Sequence, residues 1–491
     1  MHDHPDSNTG PGAQSAPASG IAPPIAPANA APPLVATESA IAEIIRIAVP
    51  SVATTLSYTL MQFVDAYMVS LINPEDPIFL AAQGNGGISA WTPQAIMAGM
   101  LGVVNTYVAQ HLGAGQPRKG PAYAWNGLWL CLALWLLMLP YALALPFMFR
   151  SFGHAPRLVE LETSYAQILI AGAFIQMAGR CLSQFFYGLH RPNVVLVAAV
   201  AGNIVNLGLD YVLIFGHFGA PAMGISGAAI ATVIGTAVEL SIPACLFLGP
   251  AMHAKYGTRD GWRPSAEIMR KIIAIGWPGG MMFFNEMICW TYFLVKMTGS
   301  FGVEHNTAGW IALRYMHLSF MPSVGISNAM TSIVGRYLGM RRPDLAAHRA
   351  KIGLAIAMTY MALCAVVFVV FRRQLVGVFS TDEAIITIGS GVMIIAAVFQ
   401  VFDALGITLI GVLRGAGDTV FPSIVTIIAV WICLIGGGLL LMKYAPEFES
   451  LGPWSAAAAY ICIVGILLAI RFARGKWKTL RLAGVGEPVH V

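Results

Sequence analysis

Charge is what this chain has too little of: Asp, Glu, Lys and Arg make up 10% of its 491 residues, while 57% are hydrophobic. Soluble domains carry about 25% charged residues, so this composition cannot cover a water-facing surface. It can cover a lipid-facing one, where helices are apolar all round and satisfy their own backbone. Cysteine is sparse too. The seven (131, 181, 245, 289, 364, 433 and 462) fall inside apolar stretches without CxxC spacing, which argues for packing residues and against a disulfide framework or zinc site. No GxxxxGK[ST] phosphate loop occurs, so ATP does not power the chain by that route, and no HExxH, paired-His or nucleophile constellation supports an enzyme. Residues 1–38 lack Lys and Arg and hold eight prolines. Without a basic start and apolar core they are not a signal peptide, and they read as a disordered cytoplasmic tail.

Apolar runs long enough to span a bilayer, about 20 residues each, recur along almost the whole length. They predict twelve spans, near 41–71, 79–111, 121–148, 159–188, 193–216, 223–249, 270–299, 307–338, 347–371, 384–413, 420–443 and 454–473. Most of the 28 Lys and Arg residues then fall on one side: Arg46, Arg118, Lys119, Arg191, the cluster from Lys255 to Lys271, the cluster from Arg336 to Lys351, and the tail from Arg471. By the positive-inside rule both termini are cytoplasmic in a bacterial inner membrane. Basic residues that mark topology in this way do not form a nucleic-acid surface.

The halves resemble each other at an offset of about 227 residues. Pro50 answers Pro278; Gly113 in HLGAGQP answers Gly339 in YLGMRRP; Gly188 answers Gly415. A six-helix unit used twice in the same orientation predicts an all-α polytopic membrane protein with 12 transmembrane helices in two lobes, related by a pseudo-twofold axis along the membrane normal, with a cavity between them. The expected division is a tail at 1–38, an N-terminal lobe at 39–250, a cytoplasmic linker at 251–269, a C-terminal lobe at 270–474 and a tail at 475–491.

A charge at mid-membrane costs about 2.5–3.5 kcal/mol on insertion scales, so one that persists there faces an interior cavity and has a use. Five acids lie well inside spans, away from their ends: Asp65, Asp210, Glu239, Glu286 and Asp403. Tyr58, Gln62 and Asp65 share one helical face, as do Asn203, Asn206 and Asp210. Such faces offer oxygen ligands to a sodium ion or hydrogen bonds to a proton-binding carboxyl, and the spacing leaves both open. Glu286 and Asp403 are set among aromatics and Met, with Gln400 one turn before Asp403 and Trp290 one turn after Glu286. That setting suits an organic cation through charge and cation–π attraction; the competing reading pairs these acids with Lys296 or Arg314. Glu239 lacks polar companions on its own face and is discounted.

The segments VPSVATTLSYTLMQFVDAYMVS, VAQHLGAGQP, GLHRPN with GNIVNLGLDYVLIFG, GISGAAIATVI and VLRGAGDTVFPSI resemble the multidrug and toxic compound extrusion (MATE) transporters, over about residues 40–475. The resemblance implies two lobes around a V-shaped cavity and efflux of amphipathic organic cations by alternating access, with protons or sodium ions as coupling ions and no other cofactor or metal. It implies ion coupling at Asp65, Asn203, Asn206 and Asp210, with Glu286 and Asp403 matching the acids of the sodium-linked branch. Tyr58, Gln62, Gln400 and Trp290 are candidate substrate contacts. The chain is expected to act as a monomer in the bilayer. A flippase for lipid-linked sugars is the alternative; it calls for basic cavity residues, whereas here the acids outnumber Arg180, Lys296 and Arg314.

Overall fold

The structure is a computed structural model and describes residues 39–73, 76, 78–480, 482 and 485. The expectation for residues 1–38, and most of that for 475–491, lies outside them. Among the described residues the chain is helical without a strand. The first half runs α1 (Ala40–Ser70), α2 (Ile78–Gly113), α3 (Gly120–Ser151), α4 (Pro156–Ala171), α5 (Ala173–Gly188), α6 (Pro192–Phe215) and α7 (Gly224–Leu248). A short α8 (Pro250–Tyr256) leads into α9 (Ala266–Tyr292), α10 (Val303–Gly339), α11 (Pro343–Val370), α12 (Arg372–Gly377), α13 (Glu383–Ala416), α14 (Val420–Ala429), α15 (Gly438–Tyr444) and α16 (Leu451–Ala473). The connection expected at 251–269 is thus partly helical at both ends.

Ten helical spans are long and apolar enough to cross a membrane, and α4 with α5 makes another, bent by 47°. The remaining span, α10, is too polar to qualify by composition. It carries Glu304, His305, Arg314, His317 and Arg336. Span eleven is α14 and α15 joined through a π-helical stretch, Val430–Gly437.

Backbone geometry repeats with the sequence. Gly115 has φ +72° and Arg341, 226 residues on, has φ +58°; His190 has φ +58° and Gly417, 227 residues on, has φ +85°. Each left-handed turn follows a helix end, and in three of the four a proline restarts the next helix, at Pro117, Pro192 and Pro343. Arg341 and His190 hold a conformation that favours glycine, so the turn is a requirement of the repeat and not of the residue.

Contacts between the halves gather toward one end, the end at which α1 begins and α16 ends. A Cβ on Gly113 would lie 1.9 Å from the Arg336 carbonyl oxygen, and one on Gly339 would lie 2.1 Å from that of Gln110. These are the same contact seen from each half. Gly99 against Gly279 and Gly325 against Val52 repeat the pattern one level deeper, with a Cβ 2.5 Å from the Gly279 oxygen in the first case and 2.7 Å from Val52 Cα in the second. Thr106 Oγ1 donates to Arg414 O at 2.9 Å, Gln110 Nε2 to Gly415 O at 2.9 Å, and Ser332 Oγ to Asn105 Oδ1 at 3.0 Å. His190 bridges to Ser332 O at 3.1 Å and to Arg336 at 3.4 Å. Burial and the Arg336 guanidinium push this imidazole down to about 4, so it joins the seam uncharged.

At this seam each half lends the start of a helix to the other. Ile44, Ile47 and Ala48 of α1 belong to the hydrophobic core of the second half, and Ile272 of α9 belongs to that of the first. The opening turns of spans one and seven each cross into the opposite lobe. There Glu43, 3% exposed, accepts from Arg349 Nε at 2.8 Å and from the Tyr337 hydroxyl at 2.8 Å. Glu43→Gln removes the negative charge that faces the buried Arg349 guanidinium, and breaking such a pair costs up to about 3–5 kcal/mol. The thermal unfolding midpoint in detergent is expected to fall by several degrees, and the double replacement Glu43→Met with Arg349→Met to recover most of it.

Candidate functional site

Above the seam, α1 packs along α6 and α6 along α7, which turns three polar faces toward one another inside the first lobe. Asp65 of α1 and Asp210 of α6 come within hydrogen-bonding reach of each other. Asp210 is fully buried, whereas Asp65 is partly exposed. Asn206, one turn before Asp210, is 5% exposed and has its amide between them. Either way round, its nitrogen faces a carboxyl: Nδ2 donates to Asp210 Oδ2 at 3.3 Å, or, reversed, to Asp65 Oδ1 at 3.2 Å while the oxygen takes the Thr232 N–H at 3.3 Å. Asp210 Oδ1 is buried with no hydrogen-bond partner among the described residues. Two carboxyls this close can hold one proton between them, since both cannot be ionised cheaply.

Asn203 lies a turn away from this group. Its amide donates to Ser57 Oγ at 2.7 Å and to Ser57 O at 3.1 Å, tying α6 to α1 below the acids, although the i, i+3 spacing had placed it on their face. Tyr58 and Gln62 divide as well. The Tyr58 hydroxyl donates to Glu239 of α7, while Gln62 is exposed. Glu239 is therefore not without companions: they come from other helices. Arg180 of α5 lies within electrostatic reach of it and stacks its guanidinium 4.6 Å from the centroid of Trp91 on α2. Tyr58, Trp91, Arg180 and Glu239 form a charged cluster inside the lobe that sequence spacing missed, because no two of them share a helix.

In the second lobe, Glu286 of α9 accepts from the Tyr460 hydroxyl of α16 at 2.7 Å, and Asp403 of α13 lies within electrostatic reach of both. The pairing with Lys296 or Arg314 does not occur: Lys296 is exposed, and Arg314 is exposed against the Phe379 ring at 5.7 Å. Two candidate substrate contacts are held by side chains of their own lobe. Gln400 is 1% exposed and its amide donates to Ser319 Oγ at 2.8 Å, so it joins α13 to α10. Trp290 packs edge-on against Phe293 at 5.4 Å and tilted against Trp454 at 6.4 Å, in the lobe's aromatic core. The open aromatic surface of span seven lies elsewhere, at Trp277, Phe283 and Tyr292, all at least 40% exposed.

At the end of the first lobe away from the seam a third acid is buried. Glu162 of α4 is 0% exposed and bonds His154 Nδ1 at 2.7 Å and Asn85 Nδ2 at 3.0 Å. Nothing in the sequence marked it, since its partners sit eight residues back across a turn and on another helix.

The MatE family model matches this chain twice, over residues 50–212 and 280–438, the register of the internal repeat. Multidrug resistance protein PmpM of Pseudomonas aeruginosa is 30% identical over 462 residues, covering 89% of this chain and 92% of that protein. A probable multidrug resistance protein NorM of Shewanella oneidensis is 25% identical, covering 91% and 98%. Among solved structures, an outward-facing multidrug resistance MATE family transporter superimposes with a TM-score of 0.78 at 25% identity, over 90% of this chain and 97% of that one. A transporter from Pyrococcus furiosus superimposes with a TM-score of 0.80 at 24% identity, over the same shares. With the family model matched in both halves, this twelve-span chain belongs to the MatE family, the multidrug and toxic compound extrusion transporters.

Proposed function

We propose that this protein exports amphipathic organic cations across the bacterial inner membrane in exchange for protons, with the proton taken up by the Asp65 and Asp210 carboxyls and Asn206 donating a hydrogen bond to them. The observation that carries the reading is the paired carboxyl group of the first lobe, with one acid sealed, the other partly exposed, and an amide nitrogen between them. A sodium site would need oxygen ligands converging there, yet Asn206 presents its nitrogen to the carboxyls in either orientation. Protonation supplies the donor that Asp210 Oδ1 is without.

The cross-lobe glycine contacts and hydrogen bonds run from mid-span, at Thr55 with Met321, to the end at which α1 begins and α16 ends, and the positive-inside pattern makes that end cytoplasmic. The structure then corresponds to the state open to the outside. Export follows if a proton entering Asp65 from outside weakens the hold on the substrate, and if its release inside accompanies return. Glu286 and Asp403, with Tyr460 between them, supply negative charge for the cationic substrate from the second lobe. Names shared with multidrug resistance proteins support this substrate class. The test uses purified protein in liposomes with proton and sodium gradients imposed separately. A proton gradient is expected to drive accumulation of an organic cation such as ethidium; accumulation under the sodium gradient alone would contradict the coupling ion. Asp403→Asn is expected to raise KM for the cation several-fold with the proton dependence unchanged, which a pH profile of the variant checks.

A further inference from the structure

The third buried acid lies outside the coupling group and has a partner that reaches water. Glu162 is wholly enclosed, yet the ring it bonds, His154, has 27% of its side chain exposed. Phe149 stacks on that ring at 6.0 Å and Phe152 meets it edge-on at 6.1 Å, which fixes Nδ1 toward Glu162. The turn after α3 thus holds an imidazole between solvent and a sealed carboxyl.

We propose that His154 and Glu162 form the external entry through which protons reach the Asp65–Asp210 pair. This rests on the proton-coupled reading given above. Glu162 and Tyr165 are on successive turns of α4, and Tyr165 lies within reach of Gln83 on α2 and of both Asp65 and Asp210. Gly86 of α2 lets the helices meet there: a Cβ on it would fall 2.7 Å from Glu162 O and 3.1 Å from the Tyr165 ring. Water gives a proton to His154 Nε2; the imidazolium passes its Nδ1 proton to Glu162 Oε1; Glu162 gives it up past Tyr165 to Asp65 and returns to the carboxylate, while the imidazole, left with its proton on Nε2, loses it to water and regains one at Nδ1 from water before the next transfer. One proton enters for each that leaves, and no other group is consumed.

The surrounding charges do not supply a competing route. Arg157, at the start of α4, pairs with Asp76 at 3.7 Å ahead of α2. Arg150, at the end of α3, and Glu160 line a groove of about 520 Å³ on the other face of α4, with Thr163, Ser164 and Gln167. From α7 the neighbouring polar group is Ser226, 2.9 Å from Ser164, and from α2 it is Asn85. Histidine is the side chain that gains and loses a proton near neutral pH, and His154 bonds the only enclosed carboxylate described at this end of the lobe.

The opposing account makes the pair a staple that holds the turn to α2 and α4. Liposomes separate the two when the pH of each side is set independently. In His154→Gln and Glu162→Gln, proton-driven ethidium transport is expected to slow about tenfold or more, and its dependence on external pH between about 5.5 and 7.5 to flatten. Substrate exchange at equal pH on both sides should persist. A lowered thermal midpoint with an unchanged pH profile would overturn the relay in favour of the staple. If Asp65→Asn also left proton-driven transport intact, the proton-coupled reading itself would have failed.

Discussion

Asp65→Asn is expected to abolish gradient-driven export while the protein stays folded and still binds its substrate. The substitution keeps the volume and the hydrogen bond from Asn206, since an amide oxygen accepts as a carboxylate does. What it removes is the group that changes charge. Asp65 is the partly exposed member of the pair and Asp210 the sealed one, so under the proposed proton coupling Asp65 is the member that exchanges protons with the open side. Coupling between two ligands amounts to about 1–3 kcal/mol, or about 5–150-fold in affinity, and a variant that cannot protonate loses all of it. Uphill transport should fall to background in liposomes, with substrate affinity no longer dependent on pH. Asp210→Asn should share the transport defect. Asn203→Ala should not: its amide holds Ser57 at 2.7 Å, so stability falls modestly and pH dependence survives.

Gly113→Val is the second large effect, and it acts through shape alone. With 1.9 Å between an added Cβ and the Arg336 carbonyl oxygen, backbone would have to move, because neither partner is a flexible side chain. The seam cannot close as it does here, and the equilibrium shifts to the state open on the side where α1 begins and α16 ends. A cysteine at Thr106, in a background with the seven native cysteines replaced, is expected to become reactive toward a membrane-impermeant maleimide applied from that side. Transport should drop more than tenfold, which corresponds to about 1.4 kcal/mol of displaced equilibrium. The repeat adds a control, since Gly339→Val makes the same clash at Gln110, 2.1 Å away, and should give the same phenotype.

The sequence carried the fold where chemistry is local. Charge scarcity and span length give the membrane, and glycine recurrence at 113 and 339 gives the repeat. The reason for those glycines was not legible, because the oxygens they make room for belong to the opposite half. Span α10 shows the converse, being expected at 307–338 from its apolar run although its helix carries too many polar residues to qualify by composition. At the site, Asp65, Asn206 and Asp210 were legible because each helix contributes a polar face. Asn203 was misplaced since three residues along a helix moved it from the acids to Ser57. A sequence does not show which partners hold a side chain, here Ser319 for Gln400 and Phe293 with Trp454 for Trp290. Glu239 was discounted for want of neighbours on its own face, and its neighbours Tyr58 and Arg180 lie on other helices.

The claim at the centre is that substrate and proton are bound at each other's expense. Adding substrate to purified protein in weakly buffered detergent solution, with the pH followed directly, measures this without a gradient. Proton release on binding, absent in Asp65→Asn, is the result predicted; binding by the wild type with no proton released, or release undiminished in that variant, would contradict it.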